Sequence, residues 1–349
     1  MNREEILEAL SEIIHPETGS DIVSGGIVDA VNITEEGTVV HLLFARSRDP
    51  FAAAIKRQVS ERLAAAGRVT VVIREQAPKR GEPIPAPSAA GKISCILAIA
   101  SGKGGVGKST VASNLAVTLA AGGYRVGLLD ADIYGPSQPT MFGVEGYRPE
   151  VEERDGGEYI IPAERYGVKL ISIGFFIDSR DALIWRGPMA TNALRQMIHQ
   201  TLWGELDFLL VDMPPGTGDV HLGVISELQL TGAIVVTTPQ QVALADVLRG
   251  VNMFRAPKIE VPVLGIVENM SWFTPAELPQ NRYYIFGRGG AAHLAAGEGL
   301  ELLGQIPVVE SVVTGGDSGR PAVLSDSPVN DYYRQLADRI VEKTAISCR

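Results

Sequence analysis

Ser101-Gly102-Lys103-Gly104-Gly105-Val106-Gly107-Lys108-Ser109-Thr110 is the stretch from which the fold can be read. It matches G-x-x-x-x-G-K-[ST], and it lies between a strand-like apolar run at 95–100 and a helical pattern at 109–121. Glycines let successive backbone N–H groups converge on phosphate oxygens, and the N-terminus of the following helix adds positive potential. The spacing therefore assigns Gly102, Lys103, Gly104, Gly105, Val106, Gly107, Lys108, Ser109 and Thr110 to the phosphates of a nucleotide. Lys108 is expected at the β- and γ-phosphates, and Ser109 is expected to ligate Mg²⁺. ATP and Mg²⁺ are the cofactors this loop implies.

Outward from the loop, buried-type runs at 95–100, 126–130, 168–173, 208–212, 233–237 and 263–267 alternate with helical segments. Near-continuous apolar strands are what a parallel sheet covered on both faces requires. The fold class that follows is α/β: a doubly wound, mostly parallel sheet over residues 94–349. Residues 1–75 carry a different order. Ile6, Leu7, Leu10, Ile13 and Ile14 recur at helical spacing, β-like runs follow at 27–34 and 38–44, Pro50 opens a helix over 51–66, and 69–73 reads as a third strand. This α-β-β-α-β order predicts a small α+β domain. Between the two, residues 76–93 hold Pro78, Pro83, Pro85 and Pro87 beside Gly81 and Gly91, the composition of a semi-extended linker.

Acidic groups stand where strands end. Leu128-Leu129-Asp130-Ala131-Asp132 closes one strand, and Asp132 reads either as a helix cap or as a second carboxylate facing the same side as Asp130. Phe208-Leu209-Leu210-Val211-Asp212 ends another strand in the pattern that holds Mg²⁺, often through water. The stretch Met213-Pro214-Pro215-Gly216-Thr217-Gly218-Asp219 after it suits a loop that reorganises when a γ-phosphate leaves. Glu268-Asn269-Met270-Ser271 is placed just after a further strand, and the Asn269 amide offers both a donor and an acceptor to an adenine edge.

Charge and composition narrow the function. The 349 residues carry a net charge of −10, which opposes non-specific binding to nucleic acid. No apolar run reaches the ~18 residues a membrane span needs, and acid replaces base in Met1-Asn2-Arg3-Glu4-Glu5. The two cysteines, Cys95 and Cys348, do not make a disulfide scaffold. The expectation is a cytoplasmic protein without nucleic-acid or membrane partners.

The form G-K-G-G-x-G-K-S/T resembles the deviant phosphate loop of the family that contains nitrogenase iron protein and the partition ATPases. Further strings resemble the Mrp/ApbC family of iron–sulfur cluster carrier ATPases. They are Asp130-Ala131-Asp132-Ile133-Tyr134-Gly135-Pro136-Ser137-Gln138-Pro139, Trp185-Arg186-Gly187-Pro188-Met189, the 213–219 loop, Glu268-Asn269-Met270-Ser271, and Ile285-Phe286-Gly287 with Gly289-Gly290. In the front domain, His15-Pro16-Glu17, Asp21-Ile22-Val23-Ser24 and Gly26-Ile27-Val28 resemble the iron–sulfur assembly domain that precedes many bacterial members. The resemblance implies an ATP-hydrolysing homodimer that serves apoprotein clients alongside iron–sulfur assembly proteins. It implies that Lys103 reaches the partner's nucleotide, that Asp132 handles the attacking water and that Asn269 contacts the base. Lys103, Lys108 and Asp132 are then the catalytic set, and Ser109 and Asp212 the metal set.

One departure from that family stands out. A C-x-x-C pair usually follows the Glu-Asn-Met-Ser string, two pairs holding a bridging [4Fe–4S] cluster through four thiolates. Here the stretch is Trp272-Phe273-Thr274-Pro275-Ala276-Glu277-Leu278-Pro279-Gln280, and Thr274 and Glu277 offer only hard oxygen donors. Cys95 reads as a buried strand residue and Cys348 as part of a C-terminal tail, while His15, His41, His199, His221 and His293 show no metal-ligand spacing. The chain is therefore expected to carry iron–sulfur clusters or, alternatively, to act as an ATPase switch in their assembly that holds none. A partition-type ATPase and a small-molecule kinase are the remaining rivals.

Overall fold

The computed structural model describes residues 2–16, 20–34, 37–44, 51–63, 69–75, 92–133, 135–154, 157–176 and 187–347. The expected hairpin turn at 35–36, Pro50, most of the linker (76–91), Tyr134, Trp185-Arg186 and Cys348 lie outside the described residues. The chain divides into two compact units, Met1–Pro85 and Ala86–Arg349.

In the first unit, helix α1 (Arg3–Ser11) starts at a capping box. The Asn2 side chain accepts the Glu5 N–H at 2.9 Å, and the Glu5 carboxylate accepts the Asn2 N–H at 3.0 Å. Strands β1 (Val28–Thr34) and β2 (Gly37–Phe44) pair antiparallel, and β3 (Val69–Glu75) adds parallel to β2. Helix α2 (Ala52–Arg62) makes that parallel crossover. Ile6 and Leu10 of α1, Val40 and Leu42 of β2, and Ile55 and Val59 of α2 close one apolar core. The β-alternation of Val40 and Leu42 and the helical spacing of Ile55 and Val59 are what turn those faces inward.

The second unit is built on an eight-stranded sheet in the order β13-β12-β11-β4-β10-β5-β9-β8. Its central strands are β4 (Ile93–Ser101), β5 (Val126–Asp130), β10 (Leu206–Asp212) and β11 (Gly232–Thr237), nearly all of whose residues are buried. They are parallel. Strand β9 (Val168–Ser172) continues the parallel set, and short β8 (Ala163–Arg165) closes that edge antiparallel. Strands β6 (Val151–Arg154) and β7 (Gly157–Ile160) form a separate hairpin. Helix α3 (Lys108–Ala121) packs on β4, β5 and β10. Helix α7 (Gln241–Arg255) lies on β11, with Leu244, Val247 and Val251 of the helix meeting Val235 of the strand in a cluster separate from the main core. The sheet is thus covered on both sides, as the apolar strands require. Among the described residues no helix is long and apolar enough to cross a membrane.

The chain leaves β4 towards β5, returns to insert β10 between them, and then builds β11 and β12 (Val263–Phe273) on the other side of β4. A reversal of strand order at the C-terminal edge of a parallel sheet opens a crevice for ligands. The loop 102–107 leaves β4 at this crevice.

Strands β6, β7, β8 and β13 (Leu302–Val308) were not expected from the apolar runs. The hairpin strands are short, and half of their residues are charged. Strand β13 is an edge strand whose apolar run is broken by Gly304, Gln305 and Pro307, and an edge tolerates proline. Strand β12 also runs further than expected. Glu268-Asn269-Met270-Ser271 lies within it rather than after it, and Met270 adopts a left-handed φ of 56° where the β12–β13 register shifts. That is a bulge, the device that lets a strand continue while it re-aims its side chains.

Candidate functional site

The loop between β4 and α3 is fixed at both ends by close packing. A Cβ on Gly102 would overlap the Asp246 backbone of α7, and a Cβ on Gly107 would overlap the Asn269 amide. Gly107, with φ 80°, is the N-cap of α3, and no side chain caps that end. The first turn of α3 holds no acid, so its free N–H groups are available to an anion.

Lys108 is buried at the base of the loop. Its ammonium pairs with the Asp212 carboxylate, lies 3.3 Å from Ser109 Oγ and stands 3.8 Å from Asp132 Oδ2. The expected phosphate lysine, both expected metal ligands and the expected water-handling acid therefore meet at one point. A cation, the ammonium, already sits against the oxygens of Ser109 and Asp212. Such hard, partly anionic donors suit Mg²⁺. Among the described residues no group of three or more His, Cys, Asp or Glu side chains could hold a metal ion.

Asp130 is the last residue of β5, so strand alternation does not place Asp132; a turn does. Asp130 is fully buried and builds that turn, accepting the Asp132 N–H at 3.2 Å, the Gln138 N–H at 3.1 Å and Ser172 Oγ–H at 2.9 Å. Burial, and then the neighbouring Asp212, raise its carboxyl to about 7, against the lowering hydrogen bonds from Ser172 and Gln138. Neither reading of Asp132 had given Asp130 this part.

Lys103 is half-buried, and its carbonyl accepts Ser101 Oγ–H at 3.0 Å. Asn269 Nδ2 donates to the Val106 carbonyl at 2.9 Å, which ties β12 to the loop and leaves Oδ1 as the acceptor. Beside it a cavity of about 580 Å³ runs from Gly107 and Thr110 past Met270 and Phe286 to Pro307 and Val312. Apolar walls with a few polar groups at one end suit a nucleobase. The far wall comes from β13 and from helix α9 (Glu310–Asp317), which sequence patterns did not single out. Glu268 is drawn away from this cavity. Its buried carboxylate accepts the Ala291 N–H at 3.1 Å in the first turn of α8 (Gly290–Gly297), as well as Gln305 Nε2–H at 2.7 Å. The Glu268 and Gly289-Gly290 strings are thus a helix anchor.

The 213–218 loop leads into α6 (Asp219–Glu227), whose His221 is buried. Its ring bonds the Pro214 backbone, which has only a carbonyl to offer, and Nε2 has no partner among the described residues, so the donor is Nδ1. Burial, and then the Lys108 charge, lower the imidazole to about 4. The sign follows from proton uptake. Between pH 6.5 and about 4 the unfolded chain binds a proton that the folded ring refuses, so the ring's contribution to stability falls as pH drops through that window, opposite in sign to that of the raised Asp130 carboxyl. The full contribution is about 3 kcal/mol, present above pH 6.5. His221→Gln is expected to flatten this acid limb in urea midpoints taken from pH 4 to 7. An unchanged limb would assign it elsewhere.

Comparison with known proteins finds P-loop NTPases and iron-sulfur assembly proteins. Residues 92–341 match the family model described as NUBPL iron-transfer P-loop NTPase, and residues 3–73 match that described as iron-sulfur cluster assembly protein. An iron-sulfur cluster carrier protein of Aquifex aeolicus is 52% identical over 246 residues, covering 69% of this chain and 66% of the relative. A chloroplastic Fe-S cluster assembly factor of Arabidopsis thaliana is 42% identical over 342 residues, covering 97% of this chain and 62% of its own length. A nucleotide-binding protein from Archaeoglobus fulgidus, solved with ADP, superposes with a TM-score of 0.59 at 38% identity over 69% of this chain and 92% of that one.

Proposed function

Because the chain belongs to the NUBPL iron-transfer P-loop NTPase family, we propose that it binds and hydrolyses ATP with Mg²⁺ to carry iron–sulfur clusters to apoproteins. The observation that supports this best is the convergence of Lys108, Ser109, Asp132 and Asp212 beneath an uncapped helix N-terminus. In this reading the loop 102–110 cradles the phosphates, and Lys108 leaves Asp212 for the β- and γ-phosphates. Ser109 and Asp212 would hold Mg²⁺, and the ion would supply positive charge to the phosphates. Asp132 orients the attacking water and accepts its proton. Asn269 Oδ1 accepts from the adenine amine, a donor that guanine lacks at that place. Lys103 of a second copy completes the site, and the loop 213–219 responds to loss of the γ-phosphate. A cytoplasmic homodimer with apoprotein clients and iron–sulfur assembly partners is the setting of this reading.

Cluster binding itself is less well supplied. A [4Fe–4S] cluster takes four thiolates. Cys95 lies in β4 opposite Phe208 with its side chain buried, where it cannot ligate without opening the sheet. The surface loop after β12, closed by the Phe273–Tyr283 bridge, presents Thr274 and Glu277. This favours a second reading, in which the chain is the ATP-driven switch and the cluster is held by a partner.

Anaerobic reconstitution followed by iron and sulfide analysis, with phosphate release measured in parallel, separates the two. The carrier reading predicts about two irons and two sulfides per protomer. Phosphate release with no retained iron selects the switch. Absence of phosphate release without an acceptor would remove both readings.

A further inference from the structure

The side chain of Gln138, on the short helix α4 (Gln138–Met141), is fully buried at the centre of the site. None of the roles set out above includes it. Burying a primary amide is unfavourable unless its donors and acceptors are matched. Both N–H bonds of Nε2 are matched, one to Asp212 Oδ2 at 2.8 Å and one to the Ser109 carbonyl at 3.0 Å. Both partners are pure acceptors, so the group that faces them must be the NH₂. A flipped amide would set oxygen against two oxygens. The Gln138 backbone N–H is bound in turn by Asp130 Oδ2 at 3.1 Å.

Gln138 therefore ties together the ends of three elements: β5 through Asp130, β10 through Asp212 and α3 through Ser109. Asp212 is shared, with Oδ1 paired to the Lys108 ammonium and Oδ2 to Gln138. When Lys108 turns to the phosphates, Oδ1 is released while Oδ2 remains held. The carboxylate then keeps its orientation at the moment it must serve a metal ion. Gln138 Oε1 is buried with no hydrogen-bond partner among the described residues. It is an acceptor left without a donor among the described residues, one that a water or a ligand can supply. Water bound to a hydrated divalent cation is such a donor.

We propose that Gln138 is a positioning residue for the divalent cation, spanning Ser109 and Asp212 and so fixing the separation of the two ligands. The inference rests on the Mg²⁺-nucleotide reading above. It makes a claim that this reading does not: the amide governs the metal-dependent part of nucleotide affinity and leaves the phosphate cradle untouched.

The test is ADP affinity by titration calorimetry, with Mg²⁺ and then with EDTA, for the full chain and two variants. Gln138→Met keeps the volume without the amide. Gln138→Asn keeps the amide but is too short to span both acceptors. In each variant the gain in ADP affinity from Mg²⁺ is expected to fall roughly ten- to hundredfold, the range seen when groups orienting metal ligands are removed. Affinity in EDTA should stay within about twofold of the parent, a split that a general loss of structure would not produce. A variant that binds ADP normally in EDTA and keeps the parent's full gain from Mg²⁺ overturns the proposal. An equal loss with and without Mg²⁺ overturns it too, because it makes Gln138 a packing residue. A parent chain that binds ADP with no gain from Mg²⁺ overturns the functional reading beneath it.

Discussion

Lys108→Ala is expected to abolish phosphate release from ATP, with a fall of about 10²–10³ or more in turnover, the scale set by removing one preorganised electrostatic contact to a transition state. The reason is local. Lys108 is the ammonium that the site brings to Asp212 and Asp132 at the base of the loop, and α3 holds it beneath the first-turn N–H groups. The same substitution should also destabilise the nucleotide-free protein. Asp212 is fully buried, and Asp130 and Asp132 are buried beside it. Removing one partner from a buried ion pair typically costs about 3–5 kcal/mol, because the remaining charge has lost its compensation. Lys108 is one of the groups that hold the Asp130 carboxyl down, so without it that carboxyl takes up a proton more readily and acid relieves the cost. The stability gap between parent and variant should therefore narrow as pH falls from 7 towards 5. Urea midpoints at both pH values and a phosphate-release assay check the two halves separately. Unchanged turnover would remove Lys108 from the site, and a gap that widens in acid would remove the electrostatic account of it.

How much of this was legible beforehand depends on where polar and apolar residues fall. The central strands announce themselves because they are buried on both faces, so β4, β5, β10 and β11 read as continuous apolar runs. The phosphate loop is legible because its chemistry needs glycine at fixed spacing. The side of the site towards the cavity was not. Its wall is Pro307 and Val308 at the end of β13, where glycine, glutamine and proline interrupt the run, and Val312 on α9. Asp212 could be named as a metal ligand from its strand end. Its pairing with Lys108, 104 residues away, is a product of parallel register, which sets Asp212 beside Asp130 on one side and Ile99 on the other. Gln138 stood within a quoted string without a role, since a glutamine between serine and proline in a turn carries no pattern. Only the burial of its amide against two acceptors makes it informative. Glu268 shows the reverse. It was quoted only as the neighbour of Asn269, and its carboxylate is spent on the N-terminus of α8.

Lys103→Ala and Asp132→Asn are each expected to lose hydrolysis while retaining nucleotide binding, and mixing the two inactive proteins should restore part of it. The charge balance of the site motivates the first expectation. Three carboxylates, Asp130, Asp132 and Asp212, surround one ammonium, and a triphosphate adds more negative charge than Mg²⁺ neutralises. A second cation close to the transferring group would offset that excess, and trans-acting cations of this kind are worth about 10³-fold or more in rate. In the proposed dimer Lys103 would supply it to a neighbour. The loop is pinned at Gly102 against α7 and at Gly107 against Asn269, with exposed Gly104 and Gly105 in the arch between. If Lys103 acts across a two-fold interface, each mixed dimer contains one site with its own Asp132 and the partner's lysine, and one site that lacks both. Random mixing makes half the dimers mixed, so recovery should approach about a quarter of parental turnover. Phosphate release after mixing, with heterodimers verified by differently tagged subunits, measures it. Recovery near that level would establish a shared site. Verified heterodimers with no recovery would place Lys103 in the site of its own chain, where the cation it supplies would act without a partner.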